Sequence, residues 1–232
     1  MNPNNNGKVF APDTKFLLGL HSSTETLGLG VIQIDKSGTT FKNSIIKVNR
    51  DLSNYLFDFV EDVLPSRLWT QITRLAVSTG PGGYTGTRIK VIFARTLAQQ
   101  LNCQVDGISS FELMAYRVSK QFIHQHQSQS FWITQALKRR GIVAGKYKII
   151  NSESEKIEIK ELQAPLLLPL NKKVSPSFEM CHDIEKDLNR LLNISLKFYQ
   201  QKKKSAWKNI LPIYPTSPVQ NIQKINNVYS KL

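Results

Sequence analysis

Glycines gather in one short stretch, Ser78-Thr-Gly-Pro-Gly-Gly-Tyr-Thr-Gly-Thr-Arg88, between a predicted strand and a predicted helix. Glycine permits positive φ angles and close backbone approach, and the free N–H groups at a helix N-terminus favour phosphate. The stretch lacks the Lys-Ser/Thr ending of a P-loop, and its spacing is not the dinucleotide-binding fingerprint. Two interpretations stay open, a phosphate-contacting loop and a tight strand-to-helix turn. The loop glycines are Gly80, Gly82, Gly83 and Gly86, and we expect Gly83→Val to destabilise the loop.

The pattern around this stretch indicates an α/β layer with a partly parallel sheet, because strands and helices alternate along the first half. Runs of apolar residues predict strands at Phe16–Leu20, Leu27–Ile34, Phe41–Val48 and Leu75–Ser78. Helical spacing of apolar residues predicts helices at Asp51–Leu64 and Thr85–Leu101. The first three strands, joined by short turns, predict an antiparallel meander.

The second half gives weaker signals. Predicted strands are Phe131–Thr134, Gly141–Ile150 and Ile157–Leu162, and a helix within Pro176–Lys204 carries Ile184, Leu188, Leu191 and Leu192 on one face. We place a domain boundary near residues 106–120. The predicted division is a polar tail (1–15), an N-terminal subdomain (16–112), a C-terminal subdomain (113–215) and a loose tail (216–232).

The helix after the glycines is apolar on two faces. Ile89, Ile92, Phe93 and Thr96 share one face, and Val91, Ala94, Ala98 and Leu101 share the opposite one. A helix apolar on two faces is normally buried on both. Two interpretations remain: this helix and Asp51–Leu64 form half of a four-helix interface with another chain, or they cover each other and the sheet. The candidate partner-binding residues are Leu56, Phe57, Val60, Thr85, Arg88, Ile89, Ile92, Phe93 and Thr96.

The charge balance favours a polyanionic partner. The chain carries 31 Lys and Arg against 17 Asp and Glu, a net charge of +14. Residues up to Val118 contribute +3 and the remainder +11. This asymmetry suggests RNA, although solubility or lysine-rich codon usage explains it equally well. The candidate RNA-binding residues are Lys138, Arg139, Arg140, Lys202, Lys203 and Lys204.

Composition also predicts a cytoplasmic protein. No apolar run approaches the roughly 20 residues of a membrane span, and the first residues show no signal-peptide pattern. Cys103 and Cys181 fit neither a metal site nor a disulfide framework, so we expect both to be reduced.

The glycine stretch resembles the signature of the TsaB (YeaZ) family of tRNA threonylcarbamoyladenosine biosynthesis proteins. The family motif is close to Gly-Pro-Gly-Ser-Phe-Thr-Gly-Leu-Arg-Ile-Gly, and Gly80–Lys90 is identical to it at seven of eleven positions. Leu18–Glu25 takes the place of the family's Asp-Thr-Ser-like run, and Leu211–Tyr214 resembles its Pro-hydrophobic-Tyr run. The second half is divergent, with no Gly-Asp-Gly segment, and Gln135–Lys138 or Lys138–Gly141 stands in for the Asp-Ala-Arg run.

This resemblance implies an actin-like, sugar-kinase-like (ASKHA) α/β fold with a mixed sheet, helices and two subdomains. It implies a non-catalytic scaffold or activator subunit that dimerises with a catalytic TsaD-like paralogue through the two N-terminal helices. A TsaE-like ATPase is the further implied partner, and tRNA is the substrate of the complex. We expect no cofactor on this chain, with ATP and metal on the partner subunits, and a homodimer is the alternative when the chain is alone.

Other chemical groups argue against an enzyme. No two of His21, His124, His126 and His182 are one helical turn apart, the spacing that the metal pair of the catalytic paralogue needs. An actin-like ATPase places a carboxylate at the end of its first strand, where this chain has His21, with Glu25 four residues on. We therefore predict no metal site and no catalytic residues. The competing hypotheses are a stand-alone basic RNA-binding protein and an actin-like ATPase or peptidase-like enzyme.

Overall fold

The first sheet consists of five strands, and it places the glycine stretch at the end of a central strand. The computed structural model describes residues 13–23, 25–48, 52–122, 130–138, 140–151, 157–169 and 171–215. The strands are β1 (Lys15–Ser22), β2 (Thr26–Asp35), β3 (Gly38–Lys47), β4 (Ile72–Ser78) and β5 (Gln104–Ile108), in the order β3-β2-β1-β4-β5. The pairs β1–β2 and β2–β3 are antiparallel, while β1–β4 and β4–β5 are parallel. The predicted meander and mixed sheet are confirmed.

Two helices cover one face of this sheet. They are α1 (Leu52–Val63), which a 3-10 turn at Ser66–Gln71 follows, and α2 (Tyr84–Leu101). Successive residues of a strand point to opposite faces, so Leu18 and Leu20 of β1 face these helices. Val60 and Val91 are among the helix residues that complete this core.

The opposite face is covered by a helix from the far end of the chain, α4 (Ile184–Gln200). The four residues predicted to share its apolar face are all buried. Leu17 of β1 packs against Leu188 and Leu192 of this helix. Glycines make the close approach possible, since a Cβ on Gly30 would lie 2.5 Å from Leu192 Cδ1 and one on Gly19 would lie 2.7 Å from Leu192 Cδ2.

The second sheet has strands β6 (Ser130–Leu137), β7 (Gly141–Asn151), β8 (Glu158–Leu168) and β9 (Ser177–Glu179), in the order β8-β7-β6-β9. A helix that the sequence analysis missed, α3 (Ser110–Phe122), packs its apolar stripe on this sheet. Because α3 runs from 110 to 122, it crosses the boundary predicted near residues 106–120.

The last described segment returns to the first sheet. Val105 N–H donates to the Ser205 carbonyl at 3.3 Å, and Ile213 N–H donates to the Thr79 carbonyl at 2.8 Å. Together with α4, this segment makes residues 113–215 span both sheets, although the sequence analysis placed them in one subdomain. Among the helices of the described residues, none is long and apolar enough to cross a membrane.

A candidate partner-binding surface, a glycine turn and a buried polar cluster

Exposed and half-buried apolar side chains join α1 to α2 on the outside of the first layer. The Phe57 and Trp69 rings lie 5.2 Å apart in an edge-on contact, and the Trp69 and Phe93 rings lie 6.3 Å apart. Phe57 is 53% exposed and Ile92, next to Phe93, is 54% exposed. We call Phe57, Trp69, Ile92 and Phe93 the α1–α2 patch. Isolated exposed apolar residues are normal on a protein surface, but residues joined by ring contacts form a continuous apolar patch.

The structure removes two residues from the predicted partner-binding set. Leu56 and Val60 are 4% and 0% exposed, because the i, i+4 stripe of α1 that contains them faces the sheet. They belong to the core behind the patch, so their side chains are not available to a partner as predicted. Ile89 is half-buried and packs against the same core.

The polar members of the set lie on the outer side of α2. Thr85, Arg88 and Thr96 are exposed. Arg88 Nη1 donates to the Tyr84 hydroxyl at 3.0 Å, and the Tyr84 ring lies 5.2 Å from that of Tyr214. The start of α2 is thereby tied to the Pro-hydrophobic-Tyr run near residue 214.

The glycine stretch is a turn whose unusual backbone lies at Gly80. Gly80 has φ +98°, and its carbonyl accepts from Ser110 N–H at 2.7 Å and from Ser109 Oγ at 3.2 Å. The turn therefore fixes the start of α3. Gly83, at the N-cap of α2, has φ −56°, a value that any residue can adopt. The backbone therefore gives no conformational reason for Gly83→Val to destabilise the loop.

The other loop glycines make less demanding contacts. A Cβ on Gly82 would lie 3.2 Å from Thr87 Oγ1, whereas one on Gly86 would find its nearest neighbour, Leu52 Cδ2, at 3.5 Å. The contacts of Gly80, Gly82 and Gly86 are those of a tight turn.

A buried polar cluster joins β1 to α2, and the sequence analysis did not identify it. Lys90 is fully buried on the inner face of α2, and its Nζ donates to Ser22 Oγ at 3.0 Å. Burial of the ammonium lowers the pKa of Lys90 to about 7. The sequence offered one indication of this cluster, since Lys90 occupies the position at which the TsaB motif has glycine.

His21 belongs to the same cluster. Burial, and secondarily the positive charge of Lys90, holds the pKa of this imidazole well below its ordinary value. Both ring nitrogens are buried without a hydrogen-bond partner among the residues described. His21 is therefore neutral at physiological pH.

Asp187 of α4 extends the cluster to α3. Its Oδ2 lies 3.9 Å from His21 Nε2, and its Oδ1 accepts from Arg117 Nε at 3.2 Å. Burial raises the pKa of Asp187, while the Arg117 guanidinium opposes that shift. Arg117 Nη2 also donates to the Cys181 carbonyl at 2.7 Å. These contacts hold α3 and α4 together over the end of β1.

The cluster contains a hydroxyl beside an amine, the arrangement of a nucleophile and its base. Ser22 is only 4% exposed, so its hydroxyl is closed to a substrate. Glu25, the other carboxylate considered from the sequence, is exposed. Within the described ranges, no group of three or more His, Cys, Asp or Glu side chains is placed to hold a metal ion. The cluster thus links β1, α2 and α4 structurally.

The predicted basic residues lie on two separate elements. Lys138 and Arg140 are exposed at the turn between β6 and β7, and Arg139 lies outside the described residues. Lys202, Lys203 and Lys204 are exposed beyond the end of α4. In that segment the Lys203 carbonyl accepts from the Arg74 guanidinium, with Nη1 at 3.0 Å, and Lys203 Nζ lies 3.6 Å from the Phe198 ring centroid.

Comparison with known proteins gives a consistent result. Residues 48–167 match the family model described as TsaD, tRNA N6-adenosine threonylcarbamoyltransferase. The chain is 31% identical over 104 residues to the tRNA threonylcarbamoyladenosine biosynthesis protein TsaB of Bacillus subtilis (strain 168). That match covers 43% of this chain and 43% of the relative, so the chain aligns with less than half of the relative's length.

Two solved structures from Pseudomonas aeruginosa share the fold. A protein with similarity to the peptidase YEAZ has a TM-score of 0.61 at 18% identity, covering 87% of this chain and 100% of that one. YeaZ has a TM-score of 0.60 at 17% identity, covering 86% of this chain and 100% of that one. This likeness, together with the two layers of the structure, confirms the predicted actin-like, sugar-kinase-like fold.

Proposed function

The chain belongs to the TsaD family as a TsaB/YeaZ-like member, and we propose that it is the non-catalytic scaffold subunit of a complex that makes threonylcarbamoyladenosine in tRNA. In this proposal the catalytic partner is a TsaD-like paralogue, a TsaE-like ATPase is a further partner, and ATP and metal belong to those subunits. The complex acts in the cytoplasm.

The α1–α2 patch is the observation that supports the proposal. Its side chains are apolar, they join α1 to α2 on the outer side of one helical layer, and Phe57 and Ile92 are more than half exposed. An equivalent pair of helices on the paralogue would cover the patch and complete a four-helix bundle. If the paralogue buries the patch in only one arrangement of its helices, binding stabilises that arrangement. In this proposal, a subunit without catalytic groups activates its partner by such a shift in conformation.

A matched pair of aspartate substitutions tests this interface. Ile92 and Ile150 are 54% and 53% exposed, but Ile92 lies on α2 and Ile150 lies on β7 of the second sheet. Burying an unpaired carboxylate in an interface is unfavourable, so Ile92→Asp should weaken heterodimer affinity by about 100-fold or more. Ile150→Asp should leave the affinity within about twofold of the parent.

The measurement is size-exclusion chromatography with light scattering, followed by titration calorimetry, on the chain mixed with the TsaD-like paralogue of the same genome. Thermal unfolding of the two variants alone should match the parent, since both isoleucines are exposed. Equal affinities for the two variants would show that the patch is not the interface. Modifying activity on tRNA should appear only in the mixture. If the free chain forms a homodimer that Ile92→Asp disrupts, the same patch also mediates self-association.

A further inference from the structure

A cavity of about 470 Å³ lies between α3 and α4. Each helix contributes residues at the i, i+3, i+4 and i+7 positions, so one face of each helix forms a wall. The lining residues are Leu113, Tyr116, Arg117 and Lys120 on α3, and Lys186, Asn189, Arg190 and Asn193 on α4.

The walls carry positive charge and no carboxylate. Arg117 is engaged with Asp187, and Lys186 Nζ pairs with Asp183 at 2.9 Å. Lys120 and Arg190 make no ion pair with any residue in the described part of the chain. The more distant carboxylates of Glu112 and Glu158 act on Arg190 only through space, so the excess positive charge of the cavity remains.

Arg190 is held in place with part of its hydrogen-bonding capacity unused. Its guanidinium carbon lies 3.6 Å from the centroid of the Tyr116 ring, a stacking distance. Its Nε is buried and has no hydrogen-bond partner among the described residues. Burial lowers the pKa of Arg190, but a guanidinium remains charged at neutral pH. The partly exposed guanidinium carries a charge that no carboxylate of the described residues pairs, and a phosphate oxygen is the acceptor that a guanidinium binds best.

We propose that the α3–α4 cavity is an RNA-binding site, in which Arg190 and Lys120 hold a backbone phosphate and the Tyr116–Arg190 stack supports an adjacent base. Single-stranded RNA is bound in this way, by cations along the backbone and by bases stacked on aromatic rings or guanidinium planes. Asn189 and Asn193 offer amide donors and acceptors to the ribose or to base edges. That the RNA is a tRNA rests on the proposed function, whereas the site rests on the cavity.

This site differs from the basic residues that the sequence singled out. Lys202 and Lys204 are exposed beyond α4 and do not line the α3–α4 cavity, which makes them a charge-matched control. Replacing Lys120 and Arg190 by alanine removes two positive charges, and replacing Lys202 and Lys204 removes two as well. Both double variants therefore lower the net charge from +14 to +12.

The test is fluorescence anisotropy of a labelled, unmodified tRNA transcript with the full chain, over a salt range of about 50 to 200 mM. The Lys120→Ala/Arg190→Ala double variant should bind the tRNA about 10-fold or more weakly. The magnitude of the slope of log K against log salt should fall by roughly 0.7 to 1.4, because one or two phosphate contacts to a single strand are lost. Lys202→Ala/Lys204→Ala should change affinity by less than about threefold. Equal losses in both variants would show that only net charge matters and would overturn the proposal, as would no loss in either.

Two further variants separate folding and partner effects. Lys120→Glu, at an exposed position, reverses one cavity charge and removes the contact of Lys120 Nζ with the Tyr116 ring at 5.5 Å, while Tyr116 and Arg190 themselves are unchanged. It should weaken RNA binding with an unchanged unfolding temperature. Ile92→Asp should lose the paralogue but keep RNA binding, so failure of the scaffold proposal is distinguishable from failure of the cavity. Inorganic pyrophosphate binding through Arg190 with no RNA binding would overturn the assignment to RNA.

Discussion

Lys90→Met tests whether a buried, largely neutral lysine sets the pH dependence of stability. The pKa of Lys90 falls from 10.5 to about 7 because burial removes water from the ammonium. Between these values the unfolded chain binds a proton that the folded chain lacks, so stability rises with pH across the window. The destabilisation that results from protonating the buried Lys90 has its full size below about pH 7 and disappears toward pH 10.5. At about 1.4 kcal/mol per pKa unit, the full effect is about 5 kcal/mol.

The assay is urea unfolding at several pH values from about 7.5 to 9.5, for the parent and the variant. Over that range the free energy of unfolding of the parent should rise relative to Lys90→Met by about 2 to 3 kcal/mol. Lys90 lowers the pKa of His21, but burial is the larger cause, so His21 stays neutral above pH 7.5 in both proteins and the difference between the two curves isolates Lys90. Methionine fills a similar volume without a charge, although it loses the hydrogen bond to Ser22 Oγ.

A control with the same chemical change is Lys148→Met, at an exposed position on β7. The free energy of unfolding of this variant should change with pH as that of the parent does, because an exposed ammonium remains hydrated in the folded state. The loss of the Ser22 hydrogen bond shifts the Lys90→Met curve by a constant and does not alter its slope. Parallel curves for the parent and Lys90→Met would refute the reasoning, because they would show that Lys90 stays protonated in the folded protein.

Three other predictions concern the same framework. His21→Leu should flatten the fall in stability below about pH 6.5, because the unfolded histidine takes up a proton there and the buried one does not; an unchanged slope in urea titrations would contradict this. Asp106→Asn should lower the free energy of unfolding by about 3 to 5 kcal/mol, because Asp106 Oδ2 lies 3.5 Å from Nε of the buried Arg74, and a loss below about 1 kcal/mol would argue against the pair. Gly80→Ala, at φ +98°, should cost about 1 to 3 kcal/mol by thermal unfolding, and Gly82→Ala less.

The elements of the first layer were predictable because their signals are local. The nearly continuous buried runs of β1 and β2 reflect a sheet that is covered on one side by α1 and α2 and on the other by α4. The helical spacing of α1 and α2 gave their extents to within a residue or two. The apolar outer residues Ile92 and Phe57 also followed from that spacing, although Leu56 and Val60 on the inner stripe could not be separated from them without knowing where the sheet lies.

The buried cluster and the α3–α4 cavity were not predictable, because their members are distant in the chain. Ser22 and Lys90 are 68 positions apart, and Arg117 and Asp187 are 70 apart. A lysine on an otherwise apolar helix face looks like a solvated residue until the fold places it beneath another element. The α3 stripe was missed for a related reason, since its partners are in a sheet whose own strands gave weak signals.

The position of α4 has a consequence for synthesis of the protein. Leu17 of β1 is covered by residues that follow Ile184, so the face it occupies cannot close until most of the chain has left the ribosome. A nascent or prematurely terminated chain that ends before Ile184 presents this apolar face, with Gly19 and Gly30 uncovered, to solvent. Such chains expose the surface that chaperones recognise and that drives aggregation. We therefore expect the first half, expressed without α4, to be a chaperone client and not an autonomous domain.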